Sequence, residues 1–272
     1  MEADDMSVEN DFPTVEELSN GFSEFKLECT NEFIGKTLHL YDEKNNQVDY
    51  TFTDSDNLEI SYFGIKQLKI MVSAYTIVCP RNGIYMLDFI ESHEKAKSVT
   101  IVIDINLGIA TIMNAQLPTK EEADISQLIR AKRNLPMTSV KAEFIHASVD
   151  TPFTENTLKH EFTQDLVGKY IRFQYSSNDT YEHIYLNDKF YTWHCVKGIE
   201  KGLCDTDRCY YLKITDNLYW FTWIEKVVPT IGTVMEDLSP EIMRSFGKIA
   251  GYESYDHGNI TNFQVGSYAT EL

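Results

Sequence analysis

Two side chains in the second half of the chain are candidates for acid–base chemistry, Glu225 and His194. Glu225 follows Trp223 in an aromatic segment, where a carboxyl group that faced inward would lose solvent and keep its proton to near-neutral pH. Successive strand residues point to opposite faces, so His194 points away from Trp193. If both candidates enter one interior they form an acid–base pair. The alternatives are a solvated strand histidine and a rim carboxylate beside Lys226.

The polar and sulfur-containing residues nearby favour turns over metal binding. The segment from Asp205 to Arg208 is either a cation or ligand contact at a barrel mouth or an Asx-type turn, and a calcium loop needs more oxygen ligands at fixed spacing. Cys195, Cys204 and Cys209 lack the paired Cys-x-x-Cys spacing of a zinc site. The sequence has no dinucleotide, phosphate-binding or serine-nucleophile motif. We therefore expect no metal and no cofactor, and keep Asp205 as a candidate ligand contact.

Aromatic residues make up 12% of the chain, with 16 Tyr, 15 Phe and 3 Trp. They recur along strand-like segments at 170–175, 181–186 and 219–225. Inward-facing aromatic side chains either fill the interior of a small barrel or line a pocket for a flat molecule. The second interpretation predicts an aromatic or conjugated small-molecule ligand. Its pocket walls would be Tyr191, Trp193 and Trp223.

The 272 residues carry a net charge of −18, from 42 acidic and 24 basic side chains. Nucleic-acid binding needs clustered Lys and Arg, and anionic membrane surfaces repel an acidic protein, so neither partner is expected. No apolar run reaches the ~18–20 residues of a spanning helix. The acidic amino terminus does not match a signal peptide, which favours a cytoplasmic protein with reduced thiols. Arg172 is kept as a ligand contact that could cluster with Lys197, Lys201 and Arg208.

The pattern of strands and turns predicts an antiparallel barrel or sandwich, because strand-like segments alternate with Asn, Asp and Gly turns. The chain also contains an internal repeat. Ile34-Gly35-Lys36 recurs as Val167-Gly168-Lys169, 133 positions later, and residues 83–91 match residues 217–225, 134 positions later. A register held over some seventy positions indicates two related β units.

The repeat divides the chain into four segments. We expect an acidic amino-terminal segment with a short helix at 1–29, a barrel at 30–117, a helix-containing linker at 118–162 and a second barrel at 163–272.

Three short helices are expected within these segments. Capping boxes that begin at Thr14 and Thr119 predict a first helix ending at Gly21 and a linker helix over 120–133. A serine N-cap followed by proline at the first helical position predicts a third helix over 240–246, inserted in the second barrel.

Several segments also carry a resemblance to a known family: Asp11–Phe22, Trp193–Gly198, Lys201–Asp207, Leu218–Lys226 and Gly247–Ile249. Together with the repeat, they resemble the molybdenum cofactor biosynthesis protein F (MoaF) family over about residues 11–255. The resemblance implies two tandem calycin, or lipocalin-like, antiparallel β-barrels with a few short helices. It implies little biochemistry beyond a link, through the family name, to molybdenum cofactor metabolism.

A more distant similarity connects the second unit with phenolic acid decarboxylases, which are single calycin barrels. Residues 168–175 are similar to their first strand, and Tyr175 matches one catalytic tyrosine position. Trp223-Ile224-Glu225 is similar to their Trp-x-Glu segment, with Glu225 on the general-acid position. The other tyrosine position holds Phe173, and residues 191–194 offer no arginine to clamp a carboxylate. The similarity implies a shared scaffold rather than the same substrate.

The residues and the resemblances leave two function classes. The first is a cofactor-independent enzyme of lyase, isomerase or cyclase type, in which Glu225, His194 and Tyr175 are the acid–base and orienting groups. The second is a non-catalytic protein that binds or carries a small molecule in the same pocket. Homodimerisation through the linker or a barrel face is compatible with either class.

Overall fold

The computed structural model of the protein describes residues 13, 15–63, 68–92, 96–252 and 260–272. These residues form two antiparallel β-sheets and three short helices, which confirms the predicted all-β fold class. In this part of the chain, no helix is both long and apolar enough to cross a membrane.

The first sheet contains nine strands, which are β1 (Thr37–Asp42), β2 (Gln47–Phe52), β3 (Asn57–Phe63), β4 (Leu68–Ser73), β5 (Thr76–Arg81), β6 (Ile84–Ser92), β7 (Ala96–Asp104), β8 (Ile109–Gln116) and β9 (Lys141–Val149). Their spatial order is β4-β3-β2-β1-β9-β8-β7-β6-β5. The described residues form no ladder between the edge strands β4 and β5. This unit is therefore a curled half-barrel, where a closed barrel was expected.

Strand β9 comes from the segment that the sequence assigned to the linker. It pairs with β1 through Leu40 and Val149 and with β8 through Ile109 and Ser148. It therefore lies between these two strands and connects the strands β1–β4 with the strands β5–β8. Ala147 and Val149 of β9 lie in the apolar core of this unit. The first unit thus extends beyond the expected range of 30–117, because its sheet needs β9 to connect β1 with β8.

The second sheet also contains nine strands, which are β10 (Glu161–Phe162), β11 (Tyr170–Gln174), β12 (Thr180–Tyr185), β13 (Phe190–Lys197), β14 (Cys204–Thr215), β15 (Leu218–Ile224), β16 (Thr230–Asp237), β17 (Arg244–Tyr252) and β18 (Ile260–Glu271). Their order is β10-β14-β13-β12-β11-β18-β17-β16-β15, and β14 also pairs with β15. The extra pairing closes β11–β18 into an eight-stranded barrel, and β10 lies against β14 outside the ring.

The strand β15 is buried on both faces. Its residues Phe221 and Trp223 belong to the aromatic core inside the barrel, whereas Trp220 and Ile224 belong to a separate apolar cluster. That cluster also contains Met113 and other residues of the first unit. The outer face of the closed barrel therefore packs against the half-barrel, which explains why alternation of polar and apolar residues is absent from this strand.

Among the described residues, two ion pairs cross the contact between the units. Lys248 of β17 is buried and pairs with Asp88 of β6, which also accepts a hydrogen bond from Asn262 Nδ2 at 3.1 Å. Arg81 of β5 makes two hydrogen bonds to the carboxylate of Asp237, at 2.6 and 2.8 Å. These pairs fix the orientation of one sheet relative to the other.

The helices are α1 (Val15–Phe22), α2 (Lys120–Ala123) and α3 (Gln127–Lys132). The first continues one residue past Gly21, its predicted end, and its predicted cap, Thr14, lies outside the described residues. The capping box at Thr119 is present, with reciprocal hydrogen bonds to Glu122. The expected single helix over 120–133 is interrupted between α2 and α3.

The helix predicted over 240–246 is a turn instead. The amides of Ile242 and Met243 both bond to the carbonyl of Ser239, which closes one turn, and Met243 then adopts the left-handed region with φ 46°. Arg244 immediately pairs with Asp237 and Tyr268 on the neighbouring strands. The serine and proline capping signals therefore predict where the turn begins. Residues 244–246 join β17 instead of a helix, because hydrogen bonds to the strands β16 and β18 on either side are available to them.

Candidate functional site

The interior of the closed barrel opens at the end covered by α1. Leu18 and Phe22 of this helix lie over the opening, and the Phe22 ring centroid is 4.5 Å from that of Tyr175 and 5.3 Å from that of Tyr181. Beneath them lies a small cavity, which we call the barrel cavity. Its other walls are His183, Tyr191, Trp193, Glu200, Trp223, Glu225 and Ile249. Apolar walls with a few polar groups are typical of a small-molecule site.

Glu225 lies at the rim of the barrel cavity, directly after β15. The inward residues of that strand include Phe221 and Trp223, so alternation directs residue 225 to the same side. Trp223 Nε1 donates a hydrogen bond to Glu225 Oε1 at 3.1 Å. Burial raises the pKa of Glu225 to about 8, and the nearby carboxylates of Asp207 and Glu200 add to the effect. The group is therefore protonated at neutral pH and is able to donate a proton.

Two further carboxyl groups lie beside Glu225. Asp207 of β14 accepts a hydrogen bond from Trp193 Nε1 at 3.0 Å, and burial together with the charge of Asp205 raises its pKa to about 6. Glu200, in the loop between β13 and β14, accepts a hydrogen bond from the Tyr181 hydroxyl at 2.7 Å, and burial raises its pKa. The mouth of the barrel thus concentrates acidic groups in partly desolvated positions.

His183 is a cavity residue that the sequence reasoning missed. It faces inward from β12, and its ring lies 4.8 Å from Phe173, 5.1 Å from Tyr191 and 6.1 Å from Trp223, measured between centroids. Its Nδ1 atom has no hydrogen-bond partner, and burial lowers its pKa to about 3. The imidazole is therefore neutral at neutral pH. Its spacing of two from the inward Tyr185 was the signal that could have identified it.

His194 and Arg172 do not reach the barrel cavity. Because Trp193 points inward, His194 points outward, where its Nδ1 lies 3.3 Å from Glu182 Oε2. Arg172 Nη2 contacts the other oxygen of Glu182 at 2.5 Å, and the Tyr170 hydroxyl completes the group. The predicted pairing of His194 with Glu225 in one interior is therefore not formed, and Arg172 belongs to an outer-face network.

The remaining predicted site residues lie at the cavity or its mouth. Four of them line the cavity: Tyr175, Tyr191, Trp193 and Trp223. Asp205 lies at the mouth and accepts a hydrogen bond from Lys226 Nζ at 2.8 Å. Their roles in binding or catalysis stay predictions.

The part of the chain that the structure describes contains no group of three or more His, Cys, Asp or Glu side chains arranged to hold a metal ion. The five cysteines are free, and Cys195 and Cys209 are buried in the aromatic core of the closed barrel. The polar groups available for chemistry at the barrel cavity are therefore carboxyl, imidazole and phenol groups.

Glu236 lies inside the barrel, away from the mouth, and predicts a pH dependence of stability. It is fully buried, accepts a hydrogen bond from the Tyr185 hydroxyl at 2.5 Å, and has its pKa raised by burial to about 8. Between about pH 4.5 and 8 the unfolded chain ionises this group while the folded chain keeps it protonated. The group therefore lowers the free energy of unfolding by up to ~1.4 kcal/mol per pH unit as the pH rises.

We expect Glu236→Gln, which retains the acceptor oxygen, to be more stable than the wild type at pH 8 and equal to it near pH 4. Urea denaturation at a series of pH values measures this difference. The exposed Glu155→Gln variant is the control and should follow the wild-type curve. Equal stability of Glu236→Gln and the wild type at every pH would contradict the assignment.

Gly232 has no side chain, and the Trp223 ring occupies the space that a side chain at residue 232 would fill. A Cβ atom at residue 232 would lie 2.0 Å from Cζ2 of Trp223. We expect Gly232→Ala to displace the indole, break its hydrogen bond to Glu225 and destabilise the protein by about 1–3 kcal/mol. Urea denaturation measures the loss. An unchanged free energy of unfolding would show that Trp223 is not held by close packing.

The family models and the curated relative that match this chain agree on one family. Residues 10–119 match the family model of the MoaF N-terminal domain, and residues 160–272 match that of the MoaF C-terminal domain. The chain is 38% identical over 192 residues to Protein MoaF of Klebsiella aerogenes, which covers 71% of each protein. The crystal structure of "a putative beta-lactamase from Burkholderia vietnamiensis" matches with a TM-score of 0.33 and 11% identity, over 40% of this chain and 96% of that chain.

Proposed function

This chain belongs to the MoaF family, and we propose that its closed barrel is the site of a cofactor-independent enzyme of the lyase, isomerase or cyclase type. The substrate class is a small aromatic or conjugated molecule. The names of the matching domains and of the relative state no reaction, so the proposal depends on the chemistry of the barrel cavity.

One observation carries the proposal: two groups on one cavity have opposite protonation preferences. Burial raises the pKa of Glu225 to about 8 and lowers that of His183 to about 3. At neutral pH the carboxyl group is protonated and the imidazole is neutral, with one of its two ring nitrogens free of a proton. A pair whose environments separate the pKa values in this way can donate a proton at one atom of a substrate and accept one at another. Both groups line the barrel cavity, where Trp223 Nε1 donates a hydrogen bond to Glu225 and the Trp223 ring centroid lies 6.1 Å from that of His183.

The proposed reaction needs no redox partner. His183 Nδ1 accepts a proton from the bound molecule while Glu225 delivers one to a conjugated atom elsewhere, so that a double bond moves and the number of protons is conserved. The rings of Tyr191 and Trp193 provide flat walls for such a molecule. Tyr175, whose pKa is raised by burial, keeps its hydroxyl proton and is able to donate a hydrogen bond.

Turnover of a substrate panel tests the proposal. The wild-type protein is incubated with phenols that carry a conjugated side chain and with α,β-unsaturated aldehydes, and loss of the conjugated absorbance and the product NMR spectrum are followed. We expect turnover of at least one class by the wild type and by the exposed-site control Glu155→Gln. Binding of panel members without any turnover would overturn the enzymatic assignment.

A binding or carrier protein is the second candidate function, and the position of α1 favours it. Leu18 and Phe22 cover the cavity, so a bound molecule would be enclosed rather than left open to solvent. A carrier would bind a panel member tightly with no change in the molecule, and Glu225→Gln would leave its behaviour unaltered. Calorimetry combined with recovery of the unchanged ligand distinguishes this outcome from catalysis.

A further inference from the structure

Acidic groups outnumber basic groups among the described residues that line the mouth of the barrel cavity. The acidic residues there are Glu200, Asp205, Asp207 and Glu225, and Lys226 is the basic one. Lys226 Nζ bonds to Asp205 at 2.8 Å and lies 3.9 Å from Asp207 Oδ1, beyond hydrogen-bonding distance. Lys226 therefore forms ion pairs with Asp205 and, at the longer distance, with Asp207, whereas Glu200 and Glu225 have no basic side chain paired with them among the described residues.

Asp207 carries the strongest indication that something else is recognised here. Its side chain is 1% exposed, and although Oδ2 accepts the Trp193 hydrogen bond, Oδ1 has no hydrogen-bond partner. Leaving a buried carboxylate oxygen unpaired is costly, and such groups are found where a ligand supplies the missing donor. Asp207 lines the same mouth as Glu200 and Glu225, and its Oδ1 atom is buried there with the Lys226 ammonium 3.9 Å away.

Aromatic rings surround these carboxyl groups. Trp193 lines both the mouth and the deeper cavity, and Tyr181, Tyr191 and Trp223 continue the wall inward. The faces of Trp and Tyr rings attract cations, and most strongly where water is excluded. Carboxyl groups and aromatic faces on one cavity thus favour a positively charged organic group over a neutral or a negative one.

We propose that the ligand of the barrel cavity is an aromatic amine, whose ammonium group lies between Asp207 and Glu200 and whose ring lies against Trp193 and Trp223. This inference rests on the proposed small-molecule function of the cavity and narrows its substrate class. Arg172, the basic residue predicted to contact a ligand, lies on the outer face bonded to Glu182. It therefore adds no positive charge to the cavity.

Anionic ligands fit this mouth poorly. A carboxylate or phosphate placed at Asp207 would face buried acidic groups with one lysine to compensate, and like charges in a desolvated site repel strongly. A molecule with an acidic side chain would have to enter with that group pointing to solvent. An ammonium group instead supplies three N–H donors, one of which can bond to Asp207 Oδ1, the oxygen that has no hydrogen-bond donor.

Three probes of matched size test the inference: 2-phenylethylamine, 2-phenylethanol and 3-phenylpropionate. Binding to the full chain is measured by calorimetry and by tryptophan fluorescence. We expect the amine to bind at least about tenfold more tightly than the alcohol, and the propionate to bind more weakly than the alcohol. Asp207→Asn, which keeps the shape of the side chain, should reduce the preference for the amine to about twofold or less while leaving affinity for the alcohol unchanged.

Glu200→Gln is the second variant, because it removes a carboxyl charge without altering the Trp193 contact, and it should also lower affinity for the amine alone. Glu155→Gln is the control and should bind all three probes as the wild type does. If the alcohol binds as tightly as the amine, or if both site variants keep the full preference, the cation inference is wrong and the small-molecule site stands. If no probe binds at millimolar concentration, the aromatic-amine inference is overturned, whereas turnover of the conjugated substrate panel decides the proposed function separately.

Discussion

Glu225→Gln is expected to lower the rate of turnover of the protein's substrate about 10²–10⁴-fold, the range associated with loss of a general acid. Glutamine has nearly the same shape, and its Oε1 can still accept the hydrogen bond from Trp223 Nε1. It has no acidic proton to donate. Because position and packing are retained, the loss should appear in kcat rather than in KM.

The pH dependence of the wild-type rate gives a second readout of the same group. Burial raises the pKa of Glu225 to about 8, so the protonated form is lost above that pH and the rate should fall there. The rate of Glu225→Gln should not show this fall above pH 8. Glu155→Gln, an exposed substitution of the same type, should retain both the rate and the profile. A variant of Glu225 with full activity would exclude the residue as the proton donor, whatever the role of the cavity.

Lys248→Met is expected to destabilise the protein by about 3–5 kcal/mol, because it leaves the carboxylate of Asp88 buried at the contact between the two units without its ionic partner. Burial lowers the pKa of Lys248, and the charge of Asp88 opposes that effect. The attraction between the two charges therefore offsets the free-energy cost of burying them. When one charge is removed, the cost of burying the other is no longer offset.

A double variant checks this explanation. In Lys248→Met combined with Asp88→Asn, the buried charge is absent, and the amide can still meet the polar groups of Asn262 and Thr76 that contact residue 88. We expect the double variant to recover most of the stability lost by Lys248→Met, as measured by urea denaturation. If the double variant were less stable than the single one, the loss would come from packing of the lysine chain and not from the unpaired carboxylate.

The direction of Glu225 could be predicted from the sequence because it depends on strand parity alone. Phe221, Trp223 and residue 225 are spaced by two, and strand geometry sends them to one face. The same rule places His194 opposite Trp193, so the sequence contained the evidence against its pairing with Glu225. His183 is harder to recognise because its sequence neighbours Glu182 and Ile184 are polar and aliphatic. Apart from Tyr185 on its own strand, its aromatic partners come from other strands.

The sequence predicts two barrels, but it could not show that the second sheet closes while the first stays open, because closure depends on pairing between residues far apart in the sequence. Strand β9 pairs with β8, which is near in sequence, but also with β1, whose residues lie about a hundred positions away, and nothing local in residues 141–149 specifies that second pairing. At the turn over 239–243 the local sequence does predict a structure, a helix, but that helix does not form. Residue 244 pairs instead with strands on both sides. Local rules predicted elements, and long-range pairing decided their arrangement.

The apolar cluster shared by the two units has a consequence for how the chain folds. Trp220 and Met235 of the closed barrel and Met86 and Val102 of the half-barrel are all buried in it, so neither unit alone covers its own apolar surface. Despite the internal repeat, we therefore expect the two units to unfold together. We expect a single thermal transition for the whole chain, and an isolated second half would be prone to self-association through the surface it exposes.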